Sequence, residues 1–489
     1  MKKRNLTSAV SVLLISFILL GLSGCASQGD GKIPITTKSK EARQLFLKGR
    51  DLFDRLQTQE SARYFEKAVK ADPDFALAYM FLSFVQPTPK GFWENFNKAK
   101  ALVDKVSEGE RLAILGVEAG FNGFPMKQRE YFQKLVEAYP EDERAHSVLA
   151  GNYSGQQEYE QAIAENKKAI EIAPDYSAAY NQLGYDYRFL GMYDEAEAAF
   201  KKYIELIPND PNPYDSYADL LLKMGRYDES IKNYKKALEL DPIFVSSFVG
   251  IATNLMYMGK HEEARQELQK LYDLARNDGE RRIALFNTAV SFVDEGKLDL
   301  AMEQMEKRYA LAEKINDAGA MLTDLNVMGN ILCEMDKPDE AMAKYEQALT
   351  VIEASNLSEE VKDYNRRYFL NYAARVALKK CDLDSARANA GEFMKQATSV
   401  NNPLQIKLAH ELAGMIRLAE KDYDKALEEL KQANQKNPYN LYRMALACQG
   451  KGDMEKAKSL CKKAANFNGL PSMNYAFIRT KAQQMMEAE

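Results

Sequence analysis

Apolar residues along this chain fall on helical faces that are broken at regular intervals. From Ser177 to Pro208, Tyr180, Leu183, Gly184 and Tyr187 share one face, Gly191 interrupts the run, and Ala196, Phe200 and Tyr203 share a second. That spacing predicts a helix, a tight turn and a second helix. Gly184 and Ala196 are small where the two backbones must approach, and Phe200 fills the space beside them. Pro208 ends the second helix, because a proline pushes the residue before it out of the α region and donates no hydrogen bond. Pro140, Pro174, Pro208 and Pro242 stand 34 residues apart, and the pattern of small and aromatic residues returns in register between them. A unit of this kind cannot bury its apolar face alone and must stack on its neighbours.

The same register carries Tyr214, Tyr217, Ala218, Gly225, Ser230, Tyr234, Ala237 and Pro242 in one unit, and Leu149, Ala150, Tyr153, Ala162, Ala169 and Pro174 in another. Gly49, Ser61, Phe65, Ala68 and Pro73 mark a first unit, and Leu115, Gly116, Phe132 and Pro140 a third. Beyond Pro242 the small residues recur at Ala252, Ala289, Gly329, Ala374, Gly414 and Ala445, with spacings of 37, 40, 45, 40 and 31, as expected if helices lengthen or connections vary. The pattern resembles the tetratricopeptide repeat family. That resemblance implies an all-α, right-handed α-solenoid of about twelve helix-turn-helix repeats, spanning 41–469. The unit at about 76–108 is irregular, because Gln86-Pro87-Thr88-Pro89-Lys90-Gly91 interrupts it, and the loop is expected to protrude. Ser107 and Glu110 read as a capping box. Within 470–489, Tyr475, Ile478, Ala482 and Met485 form one apolar stripe and predict a helix that shields the last repeat.

The N-terminus has its own pattern. Lys2, Lys3 and Arg4 precede an apolar run from Val10 to Leu22, too short to span a bilayer comfortably and matched to a secretory signal at 1–24. Leu22-Ser23-Gly24-Cys25 resembles the bacterial lipobox, which implies lipid attachment (palmitate included) at Cys25; an ordinary cleaved signal followed by a chance cysteine is the alternative. Several acyl chains would anchor the chain firmly, since each buried methylene contributes roughly 0.8 kcal/mol. Residues 25–40 are rich in Ser, Thr, Gly and Lys and read as a flexible tether. Ala26 rather than Asp follows the cysteine, so resemblance to bacterial sorting favours a lipid-anchored place in the cell envelope at the outer membrane, periplasmic or surface-facing.

Removal of 1–24 takes Lys2, Lys3 and Arg4 and moves the formal net charge from -5 to -8. A mildly acidic chain without a basic stripe argues against nucleic acid. His261-Glu262 and His410-Glu411 each lack the second histidine one turn on that a zinc protease helix needs, and His146 is isolated. Phosphate-cradling and nucleophile-elbow motifs are missing, so neither an enzyme nor a cofactor or metal is expected. Cys448 and Cys461 fall on facing helices of one repeat, where they either pair as a disulfide or pack as small apolar residues.

In tetratricopeptide proteins the first helix of each unit lines a concave groove. The resemblance therefore marks Asn181, Tyr185, Arg188, Asp215, Asp219, Asn326, Asn330, Asn371 and Arg375 as a partner-binding set. Amides suit the backbone of an extended peptide and arginine suits a carboxylate. The implied role is a membrane-anchored scaffold or adaptor for envelope proteins or peptides. The alternative is a glycan- or substrate-capturing partner of an outer-membrane importer, against which stands the single tryptophan, Trp93.

Overall fold

Twelve helix pairs and one final helix, 25 helices in all, account for the computed structural model, which describes residues 31–487; no strand occurs among them. The signal segment 1–24 and Cys25 lie outside the described residues. In the clearest unit Ser177–Leu190 pairs with Tyr193–Leu206, and Gly191 supplies the left-handed turn between them at φ 80°. Gly184 is required by the crossing: a Cβ there would lie 2.6 Å from the ring of Phe200, which is fully buried. The same fit recurs for Gly49 with Phe65, Gly116 with Phe132 and Gly329 with Tyr345. The period of the sequence is therefore the period of this ring-into-gap contact.

The stretched spacings come from longer helices. Asp278–Asp294, Leu298–Lys314 and Ala318–Glu334 each have 17 residues and Glu359–Lys379 has 21, against 13 in Pro438–Gly450, where the spacing contracts again. First helices of consecutive pairs approach one another more closely than second helices do, so they line the inner face of the curved stack. Ser107 and Glu110 form the expected capping box. Among the described residues no helix is long and apolar enough to cross a membrane.

The stack winds back upon itself, and this sets two expectations aside. The 86–91 loop does not protrude. The Lys90 N–H donates to Asp317 at 2.9 Å, its ammonium donates to Ile315 O at 3.1 Å, and Pro87 O sits where a Cβ on Gly279 would come within 2.4 Å. Nor is the described part of 25–40 free chain. Ile33 N–H donates to Asp142 at 2.9 Å, Thr36 N–H donates to Glu110 at 2.9 Å, and Lys32 pairs with Glu143 at 2.5 Å. Polar side chains at the ends of later helices give this segment partners that its own composition could not announce.

Equivalent contacts follow along the chain. Turns inside early pairs meet the starts of first helices much later in sequence. The Gln57 amide donates to Asp210, Ser358 donates to Asn122 at 3.3 Å, Asn402 donates to Gly123 O at 2.9 Å, and Gln157 donates to Asn434 at 2.9 Å. Lys436 donates to Phe189 O and Lys223 to Phe467 O. The final helix, Met473–Glu487, buries Tyr475, Ile478, Ala482 and Met485 over the last pair as expected, and also packs on Asp278–Asp294. There Arg479 pairs with Asp294 at 2.7 Å and donates to Tyr257 O at 2.9 Å.

Phe200→Ala is expected to cost about 3–5 kcal/mol locally, because a fully buried ring is lost between packed helices. Hydrogen exchange should open 177–206 and its neighbouring pairs first, and then the segment around Lys436 that rests on Phe189, ahead of the pair at 318–353, which is nearer in sequence but meets the turn at Lys90 instead. Equal loss of protection along the whole chain would contradict this order.

Candidate functional site

Two polar networks occupy the inner face, and they contain most of the residues marked by the sequence. The first joins three first helices, Ser177–Leu190, Pro211–Lys223 and Val245–Tyr257. Their register places Tyr185, Asp219 and Asp215 toward one another. Tyr185 donates to Asp219 at 3.0 Å, Tyr234 donates to the other oxygen of the same carboxylate, and Ser247 donates to Asp215 at 2.6 Å. The Arg188 guanidinium lies over the rings of Tyr185 and Phe189, 4.9 Å from each centroid.

Both carboxyls of this network are pushed above the usual range. For Asp215 burial is the main cause and the charge of Asp219 adds to it; for Asp219 burial outweighs the opposing influence of Arg188. Asn181 Oδ1, Gln182 Oε1, Arg188 Nε and Ser216 Oγ are buried and have no hydrogen-bond partner among the described residues. Atoms of that kind are costly unless something satisfies them. They form a mixed set of donors and acceptors, as a peptide backbone requires.

The second network lies further along the same face. Arg375 donates to Asn371 at 3.0 Å and pairs with Glu411, which also pairs with Arg443 at 3.0 Å and accepts from Asn440 at 2.9 Å and Asn437 at 3.2 Å. Burial works against the charge on Glu411, but Arg443 and Arg375 hold its carboxyl below the usual range. Asn330 accepts from Tyr345 at 3.0 Å, while Asn326, half-buried, has no such partner among the described residues. The structure thus brings Tyr185, Arg188, Asp215 and Asp219 together, and Asn371 with Arg375. It leaves Asn181 and Asn326 outside both networks.

Sequence reasoning missed Glu411 and Arg443 as members. Glu411 had a signal, since it stands in the register of Asn371 one unit on, as Gly414 does after Ala374. Arg443 has none, because the contracted last spacing shifts that register. Cys448 and Cys461 are free buried thiols and form no disulfide; Cys461 Sγ instead lies 3.2 Å from Met485 Sδ, under the final helix. Each histidine faces one carboxylate, His146 with Glu165, His261 with Asp294 and His410 with Glu429. No group of three or more metal-ligating side chains converges among the described residues.

Models of the tetratricopeptide repeat match residues 46–83, 177–210 and 249–318, and a TPR repeat model matches 218–251. These stretches take in the first network apart from Asp215. No curated protein matches the chain. Among solved structures, YrrB, described as a TPR protein with an unusual peptide-binding site, is 22% identical over 37% of this chain and 91% of its own, with a TM-score of 0.26. A tetratricopeptide repeat protein from Parabacteroides merdae is 16% identical over 59% of this chain and 100% of its own, with a TM-score of 0.36.

One buried acid beside the first network gives a pH test. Asp186 accepts from Ser154 at 2.5 Å and Asn166 at 3.0 Å, and burial raises its pKa to about 6. A carboxyl with a higher pKa folded than unfolded takes up a proton on folding, so its contribution to stability falls as pH rises from about 4 to about 6 and is level above that. Asp186→Asn should remove up to about 3 kcal/mol of that decline, leaving the variant more stable than the parent at pH 7. Asn166 Oδ1, unpartnered in the parent, can turn to accept from the new amide. Thermal unfolding of both proteins from pH 4 to 7.5 checks this; parallel curves would refute it.

Proposed function

We propose that this chain is an envelope scaffold, held to a bacterial membrane by lipid on Cys25, that grips extended segments of partner proteins along its inner face. The observation that carries the binding role is the set of buried donors and acceptors left unpartnered on the first helices, at Asn181, Gln182, Arg188 and Ser216. They lie within helices matched by tetratricopeptide repeat models or directly beside them. Repeats of this kind are interaction modules, and a peptide backbone offers the alternating N–H and C=O groups that such a set can satisfy. The acidic character of Asp215 and Asp219 favours a basic or neutral partner segment at this end, whereas Arg375 and Arg443 at the other are already engaged by Glu411.

The anchor rests on Leu22-Ser23-Gly24-Cys25 behind its basic and apolar leader, and Ala26 favours the outer membrane. Photo-crosslinking groups placed at Asn181 and Asn326 in the native host should capture a few envelope proteins. The same group at Lys201, exposed on a second helix, should not. Cys25→Ala should move the protein from the membrane to the soluble fraction. Equal capture from Lys201 would remove the inner-face reading, and membrane retention of the Cys25→Ala chain would remove the anchor.

A further inference from the structure

Where the first turn of the stack meets the second, a pocket of about 670 Å³ lies between the helix Pro89–Ala101 and the starts and ends of helices near 316–321 and 350–358. That volume is within the range of small-molecule sites. It is separate from both inner-face networks and shares no residue with them.

The charged groups around the pocket are largely consumed by the structure. Asp317 uses one oxygen to cap its own helix, accepting from Ala320 N–H at 3.0 Å, and the other to accept from Lys90 N–H at 2.9 Å. Lys90 donates its ammonium to Ile315 O, and Lys100 pairs with Glu118. Glu94 stands at the exposed rim. What remains for a ligand is neutral: amides at Asn97, Asn122 and Asn356, beside an apolar wall of Trp93, Met321 and Val351.

Two of these groups are held ready. Asn122 is only 7% exposed, and Ser358 occupies its Oδ1 at 3.3 Å, which fixes the amide; its Nδ2 has no partner among the described residues. An amide fixed in this way, with its N–H free at the pocket wall, offers a donor to a ligand acceptor. Trp93 is partly exposed, its indole N–H is likewise unpartnered among the described residues, and its ring is fixed by edge contacts with Phe92, Phe96 and Phe121 at 5.1, 6.2 and 6.0 Å. A rigid amphipathic ring offers an apolar surface and a polar edge together.

We propose that this inter-turn pocket binds a neutral saccharide of one or two pyranose units. A pyranose presents a flat C–H face to the indole and a fringe of hydroxyls, each both donor and acceptor, to amides that are also both. An anionic ligand would find the ammonium groups of Lys90 and Lys100 already engaged, and a purely apolar one would make no use of the Asn97 and Asn122 amides.

Trp93 is the chain's single tryptophan, so its emission reports on this pocket alone. Titration of the purified chain with maltose, cellobiose and N,N′-diacetylchitobiose is expected to give a saturable change with at least one of them, and none with sialic acid. Asn122→Ala should weaken that response roughly tenfold or more, the loss expected when one buried hydrogen bond goes. Asn356→Ala, at an exposed position where folding is not at stake, should weaken it as well. Lys201→Ala, exposed on a second helix, should leave it unchanged. The assignment is overturned by the lack of any change up to tens of millimolar sugar, by an equal response to sialic acid, or by a response that both pocket variants retain in full.

Discussion

The shape of this molecule depends on one recurring contact: the turn inside an early helix pair resting on the first residues of a helix one winding later. Asp317, Asn402 and Asp210 all stand at helix starts, and each meets a turn far behind it in the chain. Asp and Asn suit this place because a capping side chain has more acceptor or donor capacity than the cap consumes. Asp317 uses one carboxylate oxygen for its own helix and the second for the neighbouring winding. Asn402 accepts from Gln405 N–H while its amide donates to Gly123 O. At Asp317 and Asn402 helix initiation and superhelical closure are thereby performed by one side chain. The bonds span sequence separations from 153 to 279 residues. Each alone contributes about 1 kcal/mol, but they share one pitch, so losing the pitch loses them together. An open solenoid lacks this coupling, since each repeat touches only its neighbours.

Closure also governs the chemistry of the inner face. Residues that would be solvated in a shallow groove become buried there, and burial forces charges to find partners. Glu411 succeeds, with an arginine on either side, and stays ionised. Asp215 and Asp219 have only Arg188 near them, and they respond by moving their titration upward. The two ends of the face consequently differ in kind. At the Asp215 end burial favours the protonated carboxyls, whereas the Glu411 end is a locked ion cluster whose disruption would strand a buried charge.

Sequence disclosed whatever repeats. Gly184 against Phe200, the helix break at Gly191, the capping box at Ser107 and the apolar stripe of the final helix are all local or nearest-neighbour features, and a 34-residue period displays them directly. Lengthened helices after Asp278 were visible as stretched spacings because the small residues still mark each crossing. What remained hidden was set by pitch. Pro87, Lys90, Gly123 and Gln157 look like ordinary turn residues, and nothing within a unit reveals which helix start, several units later, will come beneath them. Thr36 and Ile33 are read as tether for the same reason: their partners, Glu110 and Asp142, belong to other units. The residues marked on the inner face were correctly placed on first helices, but their mutual pairing required knowing how sharply those helices converge.

The final helix shows how far closure reaches. A cap needs only to cover the apolar side of the last pair, and Cys461 against Met485 is contact of that ordinary sort. Arg479 does more. Its guanidinium lies over the ring of Tyr257, 5.0 Å from the centroid, and bonds both Tyr257 O and Asp294, a carboxylate also met by His261. Lys481 reaches Glu334, which accepts from Tyr439 as well. Thus the last helix is pinned to pairs whose first helices end at Tyr257, Asp294 and Glu334, and it ties the end of the chain to its middle. Because Glu334 and Tyr439 adjoin the cluster around Glu411, the helix that ends the fold also supports the inner face, so terminus and inner face cannot relax independently.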